Sequence, residues 1–142
     1  MRPVSAVHIL VVNATLQIFV SSLLGLLLLL PMQPWGKGLL KRVKNQRDLM
    51  STHLDWFMLA FMQYGAAFGL SVMPIPKAWL VSILLIFGGW MNAVPYLIRG
   101  VWGIDAFSLS GSPKQVLAAS LGLISVLSIL IALGILLLSW IL

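Results

Sequence analysis

Residues Val7 to Met32, "VHILVVNATLQIFVSSLLGLLLLLPM", run without a single Asp, Glu, Lys or Arg. No other feature constrains the fold so strongly. A bilayer core about 30 Å thick takes roughly 20 apolar residues per helical span. Unpaired backbone groups cannot sit in hydrocarbon, so a spanning segment is a helix or part of a closed barrel. Three further apolar stretches follow, at about Thr52–Met73, Ala78–Ile98 and Gln115–Leu142. The strict apolar–polar alternation of a barrel is absent. Composition agrees: 61% of the residues are hydrophobic and 8% charged, against roughly 25% charged in a soluble domain. There is too little polar surface to coat a water-facing particle. The expected fold is all-α, an integral membrane four-helix transmembrane bundle, with a single domain over residues 1–142 and no repeat. A signal peptide is the rival reading of the first span, but its apolar region is too long and no small-residue cleavage site follows it.

The gaps set connectivity and orientation. "PIPK", Pro74 to Lys77, places two prolines where no helix can continue, so the second and third spans form an antiparallel hairpin. Lys37, Lys41, Arg42, Lys44, Arg47, Arg99 and Lys114 flank the two long loops, seven basic residues against two, Arg2 and Lys77, on the other side. The positive-inside rule then puts both long loops in the cytoplasm and both termini outside. The expectation is a multi-pass protein of a bacterial inner membrane. Its net charge of +6 reflects orientation and contact with acidic lipid headgroups rather than nucleic acid. The basic stretch "GKGLLKRVKNQRDLM" reads either as an interfacial amphipathic helix or as a solvated charge run.

Few polar residues enter the spans, and those that do are informative. His53 opens the second span; Asn92 and Tyr96 lie near the end of the third, four residues apart and so on one helix face. In an antiparallel hairpin these positions share one membrane level. An imidazole, a carboxamide and a phenol are therefore expected to converge, and an intramembrane ionisable group is a functional-site hypothesis by default. The plainer readings are a solvated interfacial histidine, an amide that links helices and an aromatic-belt tyrosine. Asp55 reads as structural, pairing with Arg99 or stabilising the start of its helix. Asn13 and Gln17 read as interhelical glue, and Gln63 and Tyr64 as borders of the same pocket from deeper down.

The absence of cysteine excludes disulfides, thiolate metal sites and cysteine nucleophiles. No HExxH motif, paired-carboxylate site or phosphate-cradling glycine loop is present. One histidine cannot supply the three or four protein ligands of a zinc site. A haem needs only one axial histidine, because the porphyrin provides four nitrogens. His53 beside an aromatic-lined slot of Trp56, Phe57 and Trp90 suits a haem better than a bare ion.

The stretches "RDLMSTHLDWFMLAFMQ" and "GGWMNAVPYL" resemble the small four-helix membrane isomerases typified by styrene oxide isomerase and hydroxylaminobenzene mutase. The shared features are a histidine opening the second span, here in H-L-D, and a Gly-Trp-x-Asn-x-x-x-Tyr pattern formed by Gly89, Trp90, Asn92 and Tyr96. The resemblance implies a homotrimer holding haem b at subunit interfaces, with His53 as proximal ligand. It implies ferric iron acting as a Lewis acid on an epoxide oxygen to give an aldehyde, with Tyr96 and Asn92 orienting a small lipophilic substrate. Leu59 stands where the family carries an asparagine, and Arg99 is a candidate partner for the haem propionates. The alternatives are mutase chemistry on an aryl hydroxylamine, towards which H-L-D leans, and a non-catalytic haem-binding or structural membrane subunit.

Overall fold

The computed structural model describes residues 5–36, 38, 41 and 43–142, and it is built of helices without strands among those residues. Helix α1 is Ala6–Leu29, extended by a 3-10 turn at Leu30–Met32; α2 is Gln46–Val72; α3 is Ala78–Met91; α4 is Val94–Trp102; α5 is Pro113–Ile141. Helices α3 and α4 together form the third span. Ala6–Met32, Ala78–Trp102 and Pro113–Ile141 are each long and apolar enough to cross a membrane. The second span, α2, is equally long but less apolar, because its first turns carry Arg47, Asp48 and His53. At 1.5 Å per residue its 27 residues exceed the thickness of a hydrocarbon core, so its polar first turns need not enter one.

The buried positions show why these segments pack as they do. In α1 they are Ala6, Leu10, Ala14, Gln17 and Ser21, a stripe at helical spacing. This stripe packs on α2, while α3 packs on α5 through small side chains. A Cβ at Gly88 would stand 3.0 Å from the Ser125 carbonyl oxygen, so glycine is what permits that close approach of α3 to α5. Helices α2 and α5 do not pack along each other. They meet at one end, where the Trp140 indole donates to the Met73 carbonyl at 3.2 Å.

The third span is not continuous. It turns at Asn92–Ala93 and restarts as α4 with Pro95 in its first turn. Proline has no N–H to give the carbonyl four residues back, so the ladder breaks there, and Asn92 comes to lie at the corner. The α2–α3 hairpin is present, turned through Met73–Lys77.

Two polar clusters tie the bundle together. In its interior Asn13 donates to Gln63 Oε1 (2.6 Å), Gln63 donates to Gln17 Oε1 (2.7 Å), and Gln17 donates to the Gly89 carbonyl (2.6 Å). Trp90 completes this chain by donating to Asn13 Oδ1 at 3.0 Å. At the loop end, Arg99 grips Asp48 through Nε (2.7 Å) and Nη2 (2.5 Å). The Gly100 carbonyl accepts from the backbone N–H groups of Lys44 and Asn45, and Asn45 caps α2. No buried side-chain nitrogen or oxygen among the described residues lacks a partner. Of the residues used to argue orientation, Arg2, Lys37 and Arg42 lie outside the described residues. Within the basic loop no described residue before Gln46 is helical.

Candidate functional site

His53 and Asp55 are two residues apart on α2, about 200° around the helix axis, and they face different neighbours. His53 is turned onto α1. Its Nδ1 lies 2.8 Å from the carbonyl oxygen of Ser21 and 3.0 Å from the Ser21 hydroxyl. A carbonyl only accepts, so Nδ1 carries the proton. The Ser21 hydroxyl in turn donates to the His53 carbonyl at 2.7 Å. Nε2, the other ring nitrogen, has no hydrogen-bond partner among the described residues.

The ring sits on bare glycine backbone. A Cβ at Gly25 would be 2.8 Å from its Cε1, so any larger residue there must displace the imidazole. Phe57 flanks it with ring centroids 6.0 Å apart, and Phe61 stands edge-on to Phe57 at 5.2 Å. The other two aromatics of the expected slot serve the interior. The buried Trp56 donates to the Trp90 carbonyl at 3.1 Å and stacks edge-on against Trp90 at 5.4 Å.

Asp55 points to the other side of α2, into a cavity of about 470 Å³. The cavity lies between α2, the α3–α4 corner, α5 and the loop that follows α4. Asp55, Asn92 and Tyr96 are its polar wall; Pro95, Phe107 and Leu123 are among its apolar ones. Asn92 donates to Asp55 Oδ2 at 3.4 Å, and its own Oδ1 is 3.4 Å from the Ser125 hydroxyl. Both contacts are long, so the amide is loosely held. Tyr96 lies edge-on to Phe107 at 4.8 Å, and its hydroxyl has no partner among the described residues.

The hairpin thus brings Asn92 and Tyr96 to the level of the second helix's first turns, as expected from the sequence. The side chain they meet there is Asp55. His53 is not part of the cavity lining. The expected Asp55–Arg99 pair does not form, because Arg99 is held by Asp48. Its Cζ stacks 4.6 Å from the Phe107 ring, leaving only the Nη1 edge for another anion. Gln63 belongs to the interior amide chain, and the Tyr64 hydroxyl meets Thr15 at 2.7 Å; neither borders the cavity. Asn13 and Gln17 do link helices. The Asp55 placement was available from helix geometry: Asp55 lies on the opposite side of α2 from His53, and only one of them can face the hairpin partner.

Among the described residues no three of His, Asp and Glu gather as a multidentate metal site. Comparison of the chain with protein-family models, with curated proteins and with solved structures finds no match.

Proposed function

We propose that this chain is a haem b-dependent membrane isomerase that rearranges a small lipophilic epoxide to an aldehyde, with His53 as the axial ligand. The observation that supports it best is the state of the imidazole. Nδ1 donates to the Ser21 carbonyl, so Nε2 is the ring nitrogen left to serve as a ligand. An N–H held by a backbone carbonyl is the usual outer-shell partner of a metal-binding histidine. Gly25 leaves room for the imidazole itself, and Phe57 gives that ring an aromatic neighbour.

Bound haem supplies a Lewis-acidic iron that polarises a substrate oxygen. The chain's own residues do the rest. Tyr96 and Asn92 present an O–H and an N–H towards the cavity, donors suited to an oxygen as it gains negative charge. The apolar walls suit a lipophilic substrate. Asp55 is one turn before Leu59 on the same helix face, and it lends the cavity a polar group beside the position where the family has its asparagine. Since His53 and the cavity lie on different sides of α2, this reading needs a second copy to complete the site, in keeping with the trimer that the family resemblance implies. The same reading sets the chain in a bacterial inner membrane with both long loops cytoplasmic.

One observation favours a second reading, mutase chemistry on an aryl hydroxylamine. Opening an epoxide with a hydride shift moves no proton on balance. Converting an aryl hydroxylamine to an aminophenol requires one to be taken from the ring and one given to the departing oxygen. Asp55, a carboxyl group in the cavity wall, is a residue of the kind that carries protons. Incubating the purified, pigmented protein with styrene oxide and, separately, with phenylhydroxylamine tests both. Phenylacetaldehyde supports the first reading and aminophenol the second. Neither product from a haem-loaded protein supports a non-catalytic haem subunit.

A further inference from the structure

We propose that the Asp55 cavity binds a lipophilic ammonium ion, an organic cation with an apolar body and a charged nitrogen. The proposal rests on the reading of this cavity as a ligand site, and it adds a ligand class that neither rearrangement calls for.

The cavity, about 470 Å³, falls within the size range of small-molecule sites. Most of its lining is apolar, and Tyr96 and Phe107 form an aromatic corner. Asp55 is the one carboxylate in that lining. Its only hydrogen bond among the described residues is the 3.4 Å contact from Asn92. Asp55 is partly buried, and a carboxylate partly withdrawn from water is often met by a cation or by several good donors. Asp55 has neither, since the single ion pair among the described residues is Arg99 with Asp48.

The charges around the cavity point the same way. The whole chain has three acidic residues, Asp48, Asp55 and Asp105. Asp105 sits in the loop that walls the cavity and accepts from the Phe107 N–H at 3.3 Å. Arg99 Cζ lies 4.6 Å from the Phe107 ring and 5.8 Å from the Tyr96 ring, and its charge is offset by two hydrogen bonds to Asp48, so a second cation would use the ring surfaces that Arg99 leaves free. The Lys44 stem packs on Gly103, past the end of α4. A chain of net charge +6 therefore presents, among its described residues, a carboxylate without a cation partner in an aromatic-walled cavity. That combination recognises organic ammonium ions, through direct charge attraction and through the faces of aromatic rings. Asn92 Oδ1 can accept a ligand N–H, because the Ser125 proton is already given to the Gly122 carbonyl at 2.6 Å.

Equilibrium dialysis of detergent-purified protein against labelled phenethylammonium, with 2-phenylethanol as the neutral probe and empty micelles subtracted, tests this. The expected result is tighter binding of the ammonium, weakened about tenfold or more by Asp55→Asn, with 2-phenylethanol changed less than about twofold. Retained 2-phenylethanol binding confirms that the variant is folded. If Asp55→Asn fails to fold, Phe107→Leu on the exposed loop replaces it, with ammonium binding expected to fall about threefold. Equal affinity for the two probes, no binding of either, or full ammonium affinity in the readable variant overturns the proposal. Loss of the haem reading leaves this test intact. Conversely, a pigmented, active protein that ignores phenethylammonium overturns this proposal alone.

Discussion

His53 Nδ1 lies 2.8 Å from the carbonyl oxygen of Ser21 on the neighbouring helix, so one ring nitrogen is committed to backbone and the other has no partner among the described residues. Gly25, one turn along α1 from Ser21, makes this seat possible. Gly25→Ala brings a methyl group to 2.8 Å from Cε1, closer than carbon atoms pack, and must rotate the ring off the Ser21 carbonyl. Haem occupancy of the purified variant, read from the ratio of Soret to protein absorbance, is expected to fall several-fold with helicity unchanged. Gly134→Ala, where a Cβ meets nothing within 4 Å, serves as the control and keeps its pigment.

The interior amide chain acts on stability, not on chemistry. Gln63→Leu leaves Asn13 Nδ2 and Gln17 Oε1 without the partners they have at 2.6 and 2.7 Å. Unpaired polar groups in this setting cost about 1–3 kcal/mol, with membrane helix pairs towards the lower end. The thermal midpoint in detergent is expected to drop, and ligand affinity at the Asp55 cavity to hold.

Asp48 is buried, with 3% of its side chain exposed, and its partner Arg99 is 37% exposed. Asp48→Asn removes the charge and weakens both bonds to the guanidinium, which also braces Phe107. Exposure of the arginine moderates the loss, so the expected destabilisation is about 1–3 kcal/mol, measured by denaturation in mixed micelles. Haem occupancy should survive this change, because the guanidinium edge bonded to Asp48 is not available to a propionate.

Orientation can be tested cleanly because the chain has no cysteine. Single cysteines introduced at Lys77, in the α2–α3 turn, and at Ser108, in the α4–α5 loop, should be labelled from opposite sides by a membrane-impermeant maleimide. Labelling of Lys77→Cys in intact cells and of Ser108→Cys only in inverted vesicles is expected. The reverse pattern contradicts the positive-inside assignment.

Much of the fold is legible in the residues, and the gaps have identifiable causes. Long apolar runs and the Pro74–Pro76 turn are enough for four spans and the hairpin, because each is a local signal. The corner at Asn92–Ala93 is also local, since Pro95 lies inside "NAVPYL". Apolar content continues through it, however, so hydropathy alone draws one unbroken span. The Arg99 partner could not be chosen by helix face. Asp48 and Asp55 are seven residues apart, two turns, and lie on nearly the same face. Depth decides: Arg99 is at the end of the third span, level with the first turn of α2 where Asp48 sits. The amide chain of Asn13, Gln17 and Gln63 is visible as polar positions at helical spacing, whereas its link to the Gly89 carbonyl depends on a close approach that only three-dimensional packing provides.

The decisive measurement is the visible spectrum of detergent-purified protein from haem-replete cells. A Soret band is expected that disappears in His53→Ala and returns at least in part when imidazole is added to that variant. A colourless, folded wild-type protein, or a Soret band that His53→Ala leaves unchanged, would contradict haem ligation by His53.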